Sequence, residues 1–154
     1  MKKTAIVIGS GIVGLATAKV LADNGYKVTV IERTEKAVGA SIRNFGMVWP
    51  IGQPDGELYQ LAKKSVNIWK DISNRMGMWY NQSGSLHVAY NADEWTVLNE
   101  LFAQFELEGR PVSLMNPSQI AVKYPHVKQH QLLGGLFSSD EMIVDPRIAV
   151  ANVS

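Results

Sequence analysis

Apolar positions along this chain of 154 residues change period several times, and each change predicts an element. Thr4 to Ile8 is an unbroken, β-branched-rich run, the pattern of a short buried strand. From Ile12 to Asn24 apolar and small residues recur at helical spacing through Leu15, Ala18 and Leu21, and Gly25 stands where a helix C-cap belongs. Lys27 to Ile31 is a second β-branched strand, closed by Glu32. Strand, helix and strand thus succeed one another as a whole βαβ unit. Farther on, Leu58, Leu61, Ala62, Val66, Trp69, Ile72 and Met76 mark one apolar face of a helix over Glu57 to Met76, with Lys63, Lys64, Lys70 and Asp71 on the other. Met78 to Tyr80 and Ser85 to Tyr90 flank the turn signal Asn81-Gln82-Ser83-Gly84, which predicts a hairpin. Asn91 and Glu94 have capping spacing for a helix to about Glu108, striped by Trp95, Leu98, Leu101, Phe102 and Phe105 and ended by Gly109. Pro111 to Met115 reads as a strand, and Asn116-Pro117 as the start of a short helix. Leu132 to Phe137 and Met142 to Val144 read as further strands, and Asp145-Pro146 opens another helix.

The first residues also fit a second reading. Lys2 and Lys3, an apolar run and the A-x-A at Ala16 to Ala18 are the crude features of a secretory signal peptide. The glycines and the acid beyond that run decide against it. GSGIVG at residues 9–14 supplies G-x-G-x-x-G between a strand and a helix, and an acid stands at the end of the next strand about twenty residues on. Gly9 lets the chain turn off the strand, Gly11 lets backbone approach a pyrophosphate, and Gly14 lets helix pack against sheet. The helix N-terminus offers N–H groups and partial positive charge to phosphates. Glu32 can accept from a ribose hydroxyl pair and would repel a 2′-phosphate, which argues against NADP.

Composition narrows the function classes. The chain is 46% apolar and 19% charged with a net charge of +1, and its Lys and Arg residues are scattered, so no nucleic-acid footprint is present. With no cysteine it lacks disulfides, thiolate nucleophiles and Cys-based zinc sites, in keeping with a reducing cytoplasm, the expected location. His126 and His130, four apart, fall in a polar stretch after Pro125 and read as loop rather than metal ligands; no metal is expected. His87, between Leu86 and Val88, reads as structural or solvent-facing rather than as a general base. No apolar run reaches the ~18 residues of a membrane span, while peripheral membrane contact stays open.

The stretch from Gly9 to Gly14, with Ala18 and Gly25 after it and VTVIER at 28–33 beyond, resembles the FAD-binding signature of the D-amino-acid oxidase class of flavoproteins, which includes glycine oxidase, sarcosine oxidase and D-amino-acid dehydrogenase. VGASIRNFGMV at 38–48 sharpens the resemblance, since in that family such a segment runs back under the cofactor. RNFGMVWPIGQP at 43–54 is similar to a subgroup associated with aminophosphonate breakdown. The resemblance implies a Rossmann-like FAD-binding βαβ unit followed by an α+β substrate-domain portion. It implies cofactor contacts from Gly9, Ser10, Gly11, Ile12, Val13, Gly14, Glu32, Arg33, Ser41, Arg43, Asn44, Gly46 and Met47. Read from the residues alone, Arg43 either neutralises a phosphate or is solvated on a surface loop. The implied activity is oxidation of the C–N bond of a small amine, be it amino acid, N-methyl amine or aminophosphonate, by hydride transfer to flavin. No residue takes a general-base role, and with no Cys and no His near residues 39–47 the FAD is expected to be non-covalent.

The expected division is an FAD-binding portion at 1–78, a first part of a substrate domain at 79–144, and the start of a helix at 145–154. Two parallel strands cannot bury both faces of a Rossmann-type sheet. The chain is therefore expected to be the N-terminal portion of a longer enzyme, incomplete at its C-terminus, and to self-associate if truncated. An NAD-linked dehydrogenase and a non-catalytic nucleotide-binding or association module are the alternatives.

Overall fold

A computed structural model describes residues 3–35 and 37–153; Lys2 of the opening basic pair and the final Ser154 lie outside them. In chain order the elements are β1 (Thr4–Ile8), α1 (Ile12–Asp23), β2 (Lys27–Ile31), β3 (Met47–Val48), α2 (Glu57–Met76), β4 (Tyr80–Asn81), β5 (Ser85–Ala89), α3 (Ala92–Leu107), β6 (Val112–Met115), α4 (Pro117–Lys123), β7 (Gly134–Ser138), β8 (Met142–Val144) and α5 (Pro146–Val153). Single 3-10 turns lie at Ala40–Ile42 and Pro50–Gly52. The chain packs as two compact units interleaved in sequence: Met1–Met47 with Trp69–Tyr80 and Ile143–Ser154, and Val48–Ile68 with Asn81–Met142.

In the first unit β1 and β2 pair in parallel, from Thr4 opposite Lys27 to Ile8 opposite Ile31. Alternation along a strand sends Val7 to one face, where it is buried, while Ile6 and Ile8 on the other are 68% and 86% exposed. The expectation of a strand buried throughout is thus corrected: β1 buries one face only. Leu15 of α1 is buried in the same unit. The helix ends in a Schellman motif, with Tyr26 N–H donating to Leu21 O at 3.1 Å and Gly25 N–H to Ala22 O at 2.9 Å, and Gly25 takes the required left-handed φ of 80°. α5 packs against the Ala40–Ile42 turn and buries Ala149 and Val150.

The second unit is built on an antiparallel sheet of order β5-β7-β6, with Ala89 opposite Gly134 and Met115 opposite Gly135. Glycines at the start of the central strand admit bulk from elsewhere: a Cβ at Gly134 would press on the Trp95 ring at 2.7 Å, and one at Gly135 on His87 O at 2.8 Å. Ile51, Phe105 and Leu136 form the core, with Leu98, Leu101, Phe102, Val112 and Leu114 packed around it. Asn91 caps α3 by accepting from Glu94 N–H at 3.0 Å, while the Glu94 carboxylate takes the N–H of Tyr90 at 2.7 Å. Asn116 and Gln119 form a complete capping box on α4.

Two further expectations are corrected. The predicted hairpin does not form, because β5 pairs with β7 rather than β4. Gly84 is instead docked against the chain after β7, donating its N–H to Glu141 O at 3.2 Å, and a Cβ there would collide with Ser138 O. The buried line of α2 runs through Tyr59, Val66 and Ser73, leaving Leu58, Leu61 and Met76 exposed. The seven-residue spacing of that line matches helical periodicity, and Tyr59 satisfies its hydroxyl by donating to Asp140 Oδ2 at 2.7 Å. Burial and that bond to the carboxylate push the Tyr59 hydroxyl pKa up.

A buried cation fixes the 51–53 segment in the second unit. The Arg110 guanidinium, 2% exposed, bonds Glu108 Oε2 at 2.6 Å, Ile51 O at 3.2 Å and Gln53 O at 3.0 Å, and lies 4.2 Å from the Tyr59 ring centre and 4.4 Å from that of Phe105. Removing one partner of such a pair strands the other charge. Arg110→Ala is therefore expected to lower the unfolding free energy by about 3 kcal/mol or more in urea titrations, with Arg110→Met plus Glu108→Gln recovering most of it. A loss below about 1 kcal/mol would contradict this role.

Candidate functional site

The glycine turn between β1 and α1 is built on close backbone approach. Gly9 has φ 99°, which an L side chain rarely adopts, and its N–H extends the β1–β2 ladder by donating to Ile31 O at 2.7 Å. Gly11 is the N-cap of α1 and has no side chain to cap it. Ser41 does so from 29 residues away, its Oγ accepting the Ile12 N–H at 2.9 Å. A Cβ at Gly14 would collide with Gly9 O, so only glycine lets the first helical turn sit this close to the strand end.

Glu32 grips that turn from the end of β2. Its Oε2 accepts from Ser10 N–H at 2.8 Å and Ser10 Oγ at 3.3 Å, and its Oε1 from Arg33 N–H at 2.8 Å, Thr34 N–H at 3.2 Å and Thr34 Oγ1 at 3.2 Å. The Ser10 N–H, followed by the Thr34 and Arg33 bonds, holds the carboxyl down at about 2.

The 40–46 segment is self-bracing. Asn44 Nδ2 donates to Ala40 O at 3.1 Å and Ser41 O at 2.9 Å, and its Oδ1 accepts the Gly46 N–H at 2.7 Å. Gly46, at φ 69°, accepts from Val144 N–H at 3.0 Å, and a Cβ there would strike Val144 O. A cleft of about 750 Å³ in this unit is lined by Ser10, Glu32, Ile42, Val38, Val150 and Arg147, among others. Direct bonds thus join Ser10 to Glu32 and Ile12 to Ser41, but of the expected cofactor residues only Ser10 and Glu32 line this cleft; Gly9, Gly11, Ile12, Val13, Gly14, Arg33, Ser41, Arg43, Asn44, Gly46 and Met47 do not. Arg147 carries no motif in the sequence beyond its place just after the Asp145-Pro146 helix start. In the second unit His87 stays apart from any such cluster: it lies 3.4 Å from Ser85 Oγ, with its ring 6.1 Å from that of Trp49. His126 and His130 are exposed between α4 and β7.

Residues 4–153 match the family described as DAO, FAD dependent oxidoreductase. The chain belongs to this family. A glycine oxidase from Bacillus cereus has the same fold over 99% of this chain and 42% of its own, with a TM-score of 0.84 and 21% identity. An L-proline dehydrogenase from P. horikoshii aligns over 99% and 40% with a TM-score of 0.82 and 27% identity. Among curated proteins, the tRNA 5-methylaminomethyl-2-thiouridine biosynthesis bifunctional protein MnmC of Burkholderia lata is 28% identical over 87% of this chain and 21% of its own length. The chain therefore spans about two fifths of those enzymes of known structure and about a fifth of that curated relative.

The first unit fits the adenosine diphosphate half of the FAD for which the family is named. It presents a helix N-terminus, glycines where a Cβ would intrude, and an ionised acceptor at the end of β2. No helix among the described residues is long and apolar enough to cross a membrane. Because its folded-state value is depressed, ionised Glu32 stabilises the turn above its ordinary value of 4.5, and that support is lost as pH falls from 4.5 through about 2. The hydrogen-exchange protection factor of the Ser10 amide is expected to be constant above pH ~5 and to fall across that window. In Glu32→Gln the protection is already reduced at neutral pH. Protection that persists unchanged into the acid window would contradict the role given to Glu32.

Proposed function

We propose that this chain is the FAD-binding portion of an oxidoreductase that oxidises the C–N bond of a small amine. The observation that carries the reading is the bond from Ser10 N–H to Glu32 at the mouth of the glycine turn, which prepares a turn, a helix end and an acceptor together. The glycine oxidase and L-proline dehydrogenase neighbours, both acting on amino-acid amines by name, support the substrate class. An amino acid, an N-methyl amine or an aminophosphonate is the range we assign.

In this reading Ser10 to Gly14 and the first N–H groups of α1, with Ser41 Oγ on the Ile12 N–H, would hold the diphosphate. Glu32 accepts from the ribose hydroxyls with Arg33 beside it. Ser41, Arg43, Asn44, Gly46 and Met47 lead the segment toward the flavin ring, with Asn44 and Gly46 setting its path. Bound FAD would supply the two-electron acceptor for the C–H bond of the carbon bearing the amine, and this chain's residues would hold the cofactor for that chemistry. The absence of cysteine, and of histidine at 39–47, supports a non-covalent cofactor. The work of these residues is binding and orientation, and none of them is assigned proton transfer.

Purified chain mixed with FAD and stripped of excess is expected to retain flavin absorbance near one equivalent. Glu32→Gln weakens that binding about tenfold or more, as loss of charge-assisted bonds does. Gly14→Ala, which forces a methyl group into Gly9 O, abolishes it. A folded chain that retains no flavin, or retains NADH instead, would overturn the proposal.

A further inference from the structure

We propose that Arg147 is the cationic arm of the dinucleotide site, donating to the cofactor's diphosphate within the cleft it shares with Ser10 and Glu32. The inference rests on the FAD reading and adds a residue that neither the glycine motif nor the 38–48 segment contains.

Charge in the cleft is the starting point. Its lining includes two carboxylates, Glu32 and Glu35, and a diphosphate brings two more negative charges. The α1 N-terminus offsets about half a charge, so among the described lining residues a cationic side chain is in demand. Arg147 is the sole cation among them.

The backbone of Arg147 is fixed. Asp145 Oδ1 accepts its N–H at 2.9 Å, Pro146 presets the first helical φ, and Ala149 N–H closes the turn on Asp145 O at 2.8 Å. Its guanidinium is oriented as well: Nε donates to Asp145 Oδ1 and Nη2 to Asp145 Oδ2, each at 3.3 Å. Two of five N–H groups are thereby used, and the others remain on the outer edge of a planar fork that suits phosphate oxygens. The side chain is 75% exposed, so its remaining donors are open to a ligand. Long 3.3 Å bonds to Asp145 hold the fork without saturating it.

α5 also packs on the Ala40–Ile42 turn that carries Ser41, the residue capping α1. The cleft that Arg147 lines is the one lined by Ser10 of the glycine turn and by Ile42 of that 3-10 turn.

Calorimetric titration of the full chain with ADP and, separately, adenosine tests this, because only ADP carries the diphosphate. Arg147→Ala is expected to weaken ADP binding tenfold to about a hundredfold and leave adenosine unchanged, with Arg147→Lys between. Asp145→Asn, which keeps the helix cap but releases the guanidinium, is expected to tighten ADP binding a few-fold, a gain that a merely structural role would not produce. If Arg147→Ala binds ADP like the parent chain, the inference fails and the FAD reading stands. If it loses ADP and adenosine equally, Arg147 acts by holding α5, and the inference fails too. A parent chain that binds neither ligand overturns both.

Discussion

A carboxylate at the end of one strand holds the turn at the end of its neighbour, and the first unit is built outward from that grip. Parallel register brings Ile8 opposite Ile31, Gly9 N–H continues the ladder to Ile31 O, and Glu32 then captures Ser10. These contacts set where α1 begins. Ser41 takes the first N–H of the helix, Asn44 and Gly46 fix the segment that carries Ser41, and Gly46 O accepts the backbone N–H of Val144 beside the start of α5. The turn, the helix start and the 41–46 segment are thus ordered together by the chain's own hydrogen bonds.

The second unit uses buried charge differently. Arg110 and Glu141 are nearly inaccessible, and both are satisfied by backbone: Arg110 by Ile51 O and Gln53 O, Glu141 by Ile51 N–H at 3.0 Å. An irregular segment has no ladder to satisfy its polar groups, so charged side chains supply the partners. Glu141 also accepts from Ser85 Oγ at 3.2 Å, joining that segment to β5. Such groups stabilise one arrangement of a loop.

Local pattern was a good guide wherever local chemistry decides. The bounds of β1, β2 and α2, the Gly25 cap and the Asn91 and Asn116 caps were legible because each depends on residues within one turn of itself. The hairpin at residues 81–84 was misread because Gly84 makes its decisive contacts with Ser138 and Glu141, which no window includes. The face of α2 was misread because hydrophobicity favours Leu58 and Leu61 over Tyr59, whereas Asp140 and the Arg110 guanidinium give Tyr59 a buried place. In the candidate site, glycine spacing and the strand-end acid were visible, but the N–H that each acceptor takes was not. Arg147 was invisible for the same reason: its relation to Ser10 exists only after α5 packs on the Ala40–Ile42 turn.

On the proposed reading the βαβ turn and the Ser41 segment form one prepared site for FAD. Mapping amide chemical shifts of the labelled chain during an FAD titration tests it most directly. Perturbations are expected to concentrate at residues 9–14, 32–34 and 41–47. Shifts confined to the β5-β7-β6 unit, or none up to millimolar FAD, would contradict the claim.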